Sequence, residues 1–358
     1  MELSGMQLTS GFTFTEAPPP APENTAAWFG GGGPGPLSTV QRITYATDTA
    51  TASVRGPLSA ARYGLAAAGN LTDGWFGGGY NSGNDRSTVD RITYATDTAT
   101  ASVRGPLSMA RHFLAAAGNT TDGWFGAGYN AGAFSTVNRI TYATDTATAS
   151  VRGPLSLARY YLAAAGNTDY GWFGGGFGDS LRSTVDRITY ATDTATASVR
   201  GPLSAAIYKL AATGNTTDGW FGGGYEFSTV QRITYATDTA TASVRGPLSA
   251  AIYKLAATGN TTDGWFGGGA SGPVSTVQRI TYATDTATAS VRGPLSSARG
   301  GIGAAGNTTD GWFGGGNPGP SSTVQRITYA TDTATASVRG PLSSGRNYNH
   351  LAAAGGMQ

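Results

Sequence analysis

The chain is built on one repeated string, and this repeat constrains the fold more than any other feature of the sequence. The string RITYATDTATASVRGPLS occurs seven times without a change. The copies begin at Arg42, Arg91, Arg139, Arg187, Arg232, Arg279 and Arg326. Each of the seven tryptophans lies in a W-F-G-[GA]-G motif, and successive tryptophans are 45 to 49 residues apart. A repeat of this length, with a glycine motif in each unit, is typical of a four-stranded β-propeller blade.

One unit of the repeat predicts four short strands, which we name A, B, C and D. Tyr63–Asn70 is small and apolar and ends in a Gly-Asn turn, so it predicts strand A, the innermost. The aromatic run Gly74–Gly79 predicts strand B. Ser87–Ala95 alternates with β-branched and aromatic residues and predicts strand C. After a T-D-T turn, Thr98–Gly105 predicts strand D, which a Gly-Pro pair ends.

The ends of the chain predict how the ring closes. The first unit lacks strand A and opens at strand B, whereas the last unit is followed by an orphan strand A, His350–Gly356. We expect this strand to pair beside Trp28–Gly32 and to complete the first blade, which removes exposed sheet edges. Residues 27–358 are therefore predicted to form an all-β, seven-bladed propeller of four-stranded blades.

Residues 1–26 precede the ring and predict an N-terminal arm with a proline-rich linker. Pro18–Pro20 and Pro22 favour a stiff, extended spacer, and Gln7–Ala17 alternates like a strand. Two interpretations stay open, an arm that reaches a partner or a neighbouring copy, and a disordered tail. The first residues lack a basic segment and an apolar core, so no signal peptide is expected. No apolar run approaches the roughly 18 residues that span a membrane, so no membrane insertion is expected.

The repeat unit resembles the kelch family of propeller repeats over roughly residues 27–356. The glycines that end strand B, Gly77 to Gly79, match the family's glycine pair. The segment Ser87–Tyr94 matches its strand C, with the family's tyrosine at Tyr94. The chain departs from the family seven residues later, where Ala101 stands in place of a tryptophan. The aromatic bulk lies instead in strand B, at Trp75-Phe76.

The phrase STVxRITYATDTATASVRGPLS also resembles propeller proteins of marine tailed bacteriophages such as cyanophages. Those proteins are taken to be virion structural proteins, fibres or decorations. The resemblance implies a virion location for this chain, with an extracellular or cell-surface location as the alternative. It also implies that its partners are other virion proteins or copies of itself, with a host-surface glycan or receptor as a further candidate.

Composition excludes several classes of function. Only 12% of the 358 residues are charged, and the formal net charge is +2. Most arginines recur at fixed repeat positions, so they should form structural rings that bond to carbonyls or to the turn aspartates. A basic stripe with interleaved aromatics is absent, so no nucleic-acid partner is expected. The chain has no cysteine, which removes thiolate chemistry and cysteine-based metal sites.

The loops of the predicted blades differ between the two faces of the ring. Loops A–B read N-x-T-D-G or N-T-D-Y-G and turns C–D read A-T-D-T, so this constant face is nearly the same in every blade. Loops B–C and the segments between strands D and A differ in length and chemistry, which defines a variable face. Divergence on one face of a fixed scaffold is what a binding surface would give, although loops also tolerate change without any function.

The variable face supplies the candidate binding residues because aromatic and polar side chains that favour recognition gather there. They are Tyr63, Tyr80, Asn81, Arg86, His112, Phe113, Tyr129, Tyr160, Tyr161, Phe177, Arg182, Tyr208, Lys209, Tyr225, Phe227, Tyr253, Lys254 and Tyr348.

Residues that could carry chemistry have simpler interpretations. The two histidines, His112 and His350, are expected to be solvated loop residues, not metal ligands. The repeated aspartates favour turns, and N-T-T-D-G lacks the ligand spacing of a calcium loop, although a cation on the constant face stays open. The N-x-T triplets are read as turns, not glycosylation sites. No nucleophile–base set can be assembled, so neither an enzyme nor a cofactor is expected.

We therefore expect a non-enzymatic interaction scaffold, a phage fibre or a capsid or tail decoration, with a recognition surface on its variable face. The alternative is a glycan-binding lectin or adhesin. Repeated identical pockets would favour the lectin, whereas the loops here differ from blade to blade.

Overall fold

The computed structural model consists of seven four-stranded antiparallel sheets arranged in a ring. The structure describes residues 25–33, 36–270, 272, 274–318, 321–343 and 345, and the backbone of 352–354. The predicted arm therefore lies almost entirely outside the described residues, as do Tyr348 and His350. Within the described part of the chain, no helix has the length and hydropathy needed to span a lipid bilayer.

Each of the seven four-stranded sheets has the strand order A-B-C-D that the repeat predicts. The blades are numbered 1 to 7 by their tryptophans in chain order. Strands A are Ala66–Gly69, Ala115–Gly118, Ala163–Gly166, Ala211–Gly214, Ala256–Gly259, Gly303–Gly306 and Ala352–Ala354. Strands B are Ala26–Gly30, Asp73–Gly77, Asp122–Gly126, Tyr170–Gly174, Asp218–Gly222, Asp263–Gly267 and Asp310–Gly314. Strands C are Val40–Thr44, Val89–Thr93, Val137–Thr141, Val185–Thr189, Val230–Thr234, Val277–Thr281 and Val324–Thr328. Strands D are Ser53–Arg55, Ser102–Arg104, Ser150–Arg152, Ser198–Arg200, Ser243–Arg245, Ser290–Arg292 and Ser337–Arg339.

Two shorter elements complete the blades. One 3-10 turn follows each strand C, at Tyr45–Thr47, Tyr94–Thr96, Tyr142–Thr144, Tyr190–Thr192, Tyr235–Thr237, Tyr282–Thr284 and Tyr329–Thr331. The loop B–C of blade 2 also forms a small hairpin from Tyr80–Asn81 and Asn84–Asp85.

The ring closes as the sequence predicts. Strand Ala352–Ala354 pairs antiparallel with strand B of blade 1, with Trp28 opposite Ala354 and Gly30 opposite Ala352. The first blade is thus assembled from both ends of the ring, and the closing bonds are backbone hydrogen bonds of a sheet.

Strand D is shorter than predicted because the residues before it bond to a neighbouring blade. The predicted strand Thr98–Gly105 is reduced to Ser102–Arg104. The backbone N–H of Ala101 donates to the carbonyl of Pro57 in blade 1, at 2.8 Å. The predicted T-D-T turn is also more regular than expected, since a 3-10 turn that begins at Tyr94 carries the chain out of strand C.

The hydrophobic core is divided into seven layers, one between each pair of neighbouring blades. Between blades 1 and 2, Trp28 and Leu58 of the first blade pack with Phe76 and Tyr94 of the second. Ala101 lies in the same layer, where its small side chain is buried beside the aromatic rings. The tryptophan ring stacks on the tyrosine of the next blade, with centroids 3.7–4.0 Å apart at the seven interfaces. Strand B therefore supplies the inter-blade aromatic packing.

The turn aspartate that ends each 3-10 turn joins its blade to the preceding one. At the first interface the Nε1 of Trp28 donates to Asp97, and the guanidinium groups of Arg42 and Arg55 form ion pairs with the same carboxylate. The tryptophan bond measures 2.7–2.8 Å in all seven blades. These carboxylates are only 4–5% exposed. The expected arginine rings are therefore inter-blade ion pairs, and the turn aspartates do more than shape a turn.

The glycine of R-G-P-L-S is fixed by the same contact. Gly56 donates its N–H to the carbonyl of Asp97, at 2.7 Å. A Cβ built on Gly56 would lie 1.4 Å from the carbonyl oxygen of Ala99, so no other residue fits between the two blades.

Loss of one turn carboxylate should destabilise the ring. We expect Asp145→Asn to lower the free energy of unfolding by about 2 kcal/mol, because Arg104 of blade 2 loses its counter-charge and Arg91 keeps only its longer ion pair with Asp73. For a chain of this size that is a fall of roughly 3 °C in the melting temperature, measured by calorimetry. Asp179→Asn is the matched control, since that carboxylate is fully exposed on the variable face. Equal melting temperatures for the two variants would contradict the assignment.

Candidate functional site

The variable face is built on the extended ends of strands A and B. In blade 2, Tyr63 before strand A pairs with Tyr80 after strand B, through two backbone hydrogen bonds of 2.8 and 3.1 Å. Equivalent bridges join His112 to Tyr129 and Tyr160 to Phe177. The segments that differ between blades are therefore held on regular backbone, which fixes the positions of their side chains.

Nine of these side chains form one continuous file of rings, which we call the aromatic arc. The arc runs through Tyr63, Tyr80, His112, Tyr129, Tyr160, Phe177, Tyr208, Tyr225 and Tyr253. Successive ring centroids lie 4.9–5.8 Å apart, within the range of favourable aromatic pairs. Because the file alternates between the two variable segments of each blade, it crosses blade boundaries without a gap.

Among the described residues the arc runs through blades 2 to 6. At the corresponding bridges beyond it, Tyr253 faces Ala270 in blade 6, and Gly300 faces Asn317 in blade 7. The ring is therefore symmetric in its scaffold and asymmetric in the surface that it presents.

A second file, which we call the inner ring, consists of the residues that follow the first arc position of each blade. Its described members are Gly64, Phe113, Tyr161, Lys209, Lys254 and Gly301. Five backbone N–H groups, from Phe113 to Gly301, each donate to the carbonyl of the member in the preceding blade, at 2.8–3.1 Å. The first of these bonds joins Phe113 to Gly64, and the last joins Gly301 to Lys254. The inner ring thus links six blades by a circular path of backbone hydrogen bonds.

Every member of the inner ring has left-handed backbone. The φ angles are 55° to 57° at Phe113, Tyr161, Lys209 and Lys254, and 69° to 70° at the two glycines. Left-handed backbone costs a residue with a Cβ about 1–2 kcal/mol, whereas glycine adopts it freely. Since blades 2 and 7 use glycine here, the fold does not require the four large side chains, and strain of this kind gathers at functional sites.

The two lysines of the inner ring are surrounded by tyrosine rings. The Nζ of Lys209 lies 4.8–5.7 Å from the ring centroids of Tyr161, Tyr208 and Tyr253, and the Nζ of Lys254 lies 6.0 Å from that of Tyr253. Burial, with the nearby charge of Lys254, lowers the pKa of Lys209, and burial lowers the pKa of Lys254. Among the described residues, no carboxylate forms a salt bridge with either ammonium group.

The expectation that His112 is solvated is wrong. Its ring is 9% exposed, and its Nδ1 forms a very short contact with the carboxylate of Asp85 in the blade 2 hairpin. The imidazole also packs against the rings of Phe113 and Tyr129. His112 therefore anchors the hairpin to blade 3 from within the arc.

The arginines that begin the variable segments are core residues, not surface residues. Arg62 and Arg159 are fully buried, and each forms an ion pair of 2.8 Å with an equally buried aspartate, Asp90 or Asp186. The partner stands at the only variable position of the motif S-T-V-x-R-I-T-Y in strand C. Differences between the blades are therefore not confined to the variable face, because the residues of this buried pair also differ from blade to blade.

Blade 3 carries an unbalanced version of the pair. Arg111 is fully buried like Arg62, but its partner is Asn138, whose Oδ1 accepts a hydrogen bond of 2.9 Å. Burial lowers the pKa of Arg111 to about 10. In blades 5 and 6 the arginine is replaced by isoleucine and the partner is glutamine. Blade 7 departs from this correspondence, because Arg299 is kept while the partner position holds Gln325, and the Arg299 guanidinium donates to the carbonyls of Gly315 and Thr323 instead.

The remaining candidate residues are more scattered. Asn81 lies in the blade 2 hairpin, and Arg86 follows that hairpin, where its N–H donates to Gly79. Arg182 forms an exposed ion pair of 3.7 Å with Asp179. Phe227 is half-buried against the layer between blades 4 and 5. These four residues lie on the variable face but outside the aromatic arc.

The constant face is occupied by structural hydrogen bonds. The Oδ1 of Asn70 accepts from the N–H groups of Thr72 and Asp73, and its Nδ2 donates to the carbonyl of Thr120 in the next blade. This bonding supports the turn interpretation of the N-x-T triplets. The carboxylate of Asp73 accepts from Thr93 within its own blade.

The opening of the central channel on this face carries little chemistry. Its volume is about 440 Å³, and its lining consists of glycine, alanine, threonine and asparagine residues. Within the described ranges, no three histidine, aspartate or glutamate side chains are grouped closely enough to hold a metal ion.

Comparison with known proteins shows the fold alone. The structure of YjhT matches with a TM-score of 0.63, over 79% of this chain and 98% of that chain, at 10% sequence identity. The match supports the seven-bladed propeller architecture. No protein-family model and no curated protein matches the sequence.

The buried arginine pairs predict opposite effects for two exchanges. We expect Asn138→Asp to stabilise the protein by about 1 kcal/mol, because it gives Arg111 the counter-charge that Arg62 and Arg159 already have. Asp90→Asn should destabilise it by about 2 kcal/mol, because the buried charge of Arg62 loses its counter-charge. Melting temperatures measured side by side check both. A fall with Asn138→Asp, or no change with Asp90→Asn, would contradict this account.

Proposed function

We propose that the protein is a non-enzymatic interaction scaffold that binds a partner molecule through the variable face. One observation carries the proposal, which is the aromatic arc with the inner ring beside it. These side chains are ordered by regular backbone, differ from blade to blade and are not demanded by the scaffold. Rigid tyrosines that contribute area at low entropy cost are typical of recognition surfaces.

The variation of the arc from blade to blade favours a partner with a non-repeating surface. Within the described residues the arc covers five blades, and its side chains differ between them, so a partner would meet a different set of groups at each blade. A glycan-binding lectin remains the second candidate, because sugar rings also pack on aromatic side chains. The sequence resemblance to propellers of marine tailed phages leads us to propose a virion fibre or decoration as the setting, in which the constant face packs against other virion subunits.

The chemistry of the described residues supports a non-enzymatic role. The carboxylates on the constant face bond within or between blades, and the lining of the channel opening contains no ionisable side chain. His112 is bonded to Asp85 and packed among aromatic rings, and among the described residues it is not shown bonding a serine or threonine hydroxyl. A nucleophile with an adjacent base is what covalent catalysis would need.

Replacement of arc tyrosines should abolish binding while the fold is retained. The test variant carries Tyr80→Ser, Tyr129→Ser and Tyr225→Ser, and the control carries Thr98→Ser, Thr146→Ser and Thr239→Ser on exposed turns of the constant face in the same blades. The measurement is sedimentation of labelled protein with intact cyanobacterial cells, alongside a glycan array. We expect the tyrosine variant to bind at least about tenfold more weakly, as loss of central aromatic contacts does.

The outcomes separate the candidates. Binding to cells that the tyrosine variant loses and the threonine control keeps supports the recognition face. The same pattern on isolated glycans favours the lectin. Equal binding by both variants, or no binding by the parent protein to cells or glycans, contradicts the proposal.

A further inference from the structure

We propose that the inner ring forms an anion-binding site at which Lys209 and Lys254 receive carboxylate groups of an acidic polypeptide. The proposal rests on the proposed function of the variable face and specifies the ligand that this face takes. It starts from an electrostatic imbalance, since two half-buried ammonium groups lie on adjacent blades without a carboxylate partner among the described residues.

The two ammonium groups form one site because they share a neighbour. Both lie within about 6 Å of the Tyr253 ring, and the backbone N–H of Lys254 donates to the carbonyl of Lys209 at 3.1 Å. Tyrosine faces attract a cation but do not neutralise it. The charge therefore remains available to an anion, and partial burial strengthens that attraction compared with an exposed lysine.

The backbone conformation at Lys209 and Lys254 indicates that these positions hold lysine because of its side chain, not because the fold requires it. Glycine occupies the same position in blades 2 and 7, at Gly64 and Gly301, so the inner-ring hydrogen bonds form without a side chain. Lys209 and Lys254 adopt left-handed backbone that glycine would adopt without strain. Each lysine carries the strain of left-handed backbone and lies near a second positive charge. We therefore expect lysine to stabilise the fold less than glycine would at these positions.

The residues around the two lysines favour a polypeptide ligand over a polymer of identical units. The lysines occupy only blades 5 and 6, whereas Phe113 and Tyr161 stand at the same position in blades 3 and 4. A ligand would meet the charges of blades 5 and 6 directly beside the rings of blades 3 and 4, since the Nζ of Lys209 lies 4.9 Å from the centroid of the Tyr161 ring. An acidic peptide with apolar residues beside its carboxylates matches this division, while a chain of identical sugars does not.

The chain supplies its own test variants. Lys209→Gly and Lys254→Gly introduce the residue used in blades 2 and 7. The constant-face variant with Thr98→Ser, Thr146→Ser and Thr239→Ser is the control outside the site and without a change of charge. Lys209→Met keeps the apolar stem and the backbone strain but removes the charge. The probe is a fluorescein-labelled hexaglutamate peptide, with labelled hexaglutamine as the uncharged probe, and affinity is measured by fluorescence anisotropy at low and high salt.

We expect hexaglutamate to bind the parent protein, more weakly as salt rises, and hexaglutamine not to bind. Each lysine variant, Lys209→Met included, should weaken hexaglutamate binding about tenfold. The threonine control should leave it unchanged, and the melting temperatures of the two glycine variants should stay level or rise. Absence of hexaglutamate binding, or equal binding by the lysine variants, would overturn the proposal.

Two further outcomes distinguish failure of the anion-binding site from failure of the recognition face on which it rests. Tighter, lysine-dependent binding of an oligogalacturonate would replace the polypeptide by an acidic glycan and overturn the ligand assignment. If the tyrosine variant loses cell binding while the lysine variants retain it, the recognition face stands and the anion site falls.

Discussion

The structure depends on one inter-blade interaction, repeated seven times. A buried carboxylate such as Asp97 accepts a hydrogen bond from the tryptophan of the preceding blade and balances two of its arginines. The stacked Trp28 and Tyr94 rings exclude water from this contact, so its bonds act in a low dielectric and gain strength. The aspartate, both arginines and the tyrosine all belong to the invariant string. Each copy of the string therefore contributes its arginines to the interface with the next blade, and its tyrosine and aspartate to the interface with the preceding blade.

That interaction explains why the two faces of the ring evolve under different constraints. The turn that carries Asp97 lies on the constant face, and its backbone meets Gly56 so closely that even a methyl group would collide. Most changes there would disturb two blades. On the variable face, the bridge between Tyr63 and Tyr80 is made by backbone atoms alone, so side chains can change while the bridge persists. The constant face therefore carries the contacts that hold the blades together, whereas the side chains of the variable face can change without loss of the fold.

The sequence predicted the fold well because period and patterning are properties of the chain itself. Seven blades, the strand order and closure by the C-terminal strand are all confirmed. The sequence could not show which variable residues turn inwards, because Arg62 and Tyr63 are neighbours in the chain but only the second reaches the surface. Nor could it show the left-handed backbone of the inner ring, which follows from hydrogen bonds between blades. The burial of His112 depends on Asp85, which lies in another blade.

The closing strand has a consequence for how the protein is made. Of the described strands, strand B of blade 1 is synthesised first and its partner Ala352–Ala354 is synthesised last. Until then the nascent chain exposes an unpaired edge, for which the nearly identical strands A of later blades compete. Correct closure therefore depends on the order of folding. Each later blade must pair with its own strand A before the last strand A is synthesised.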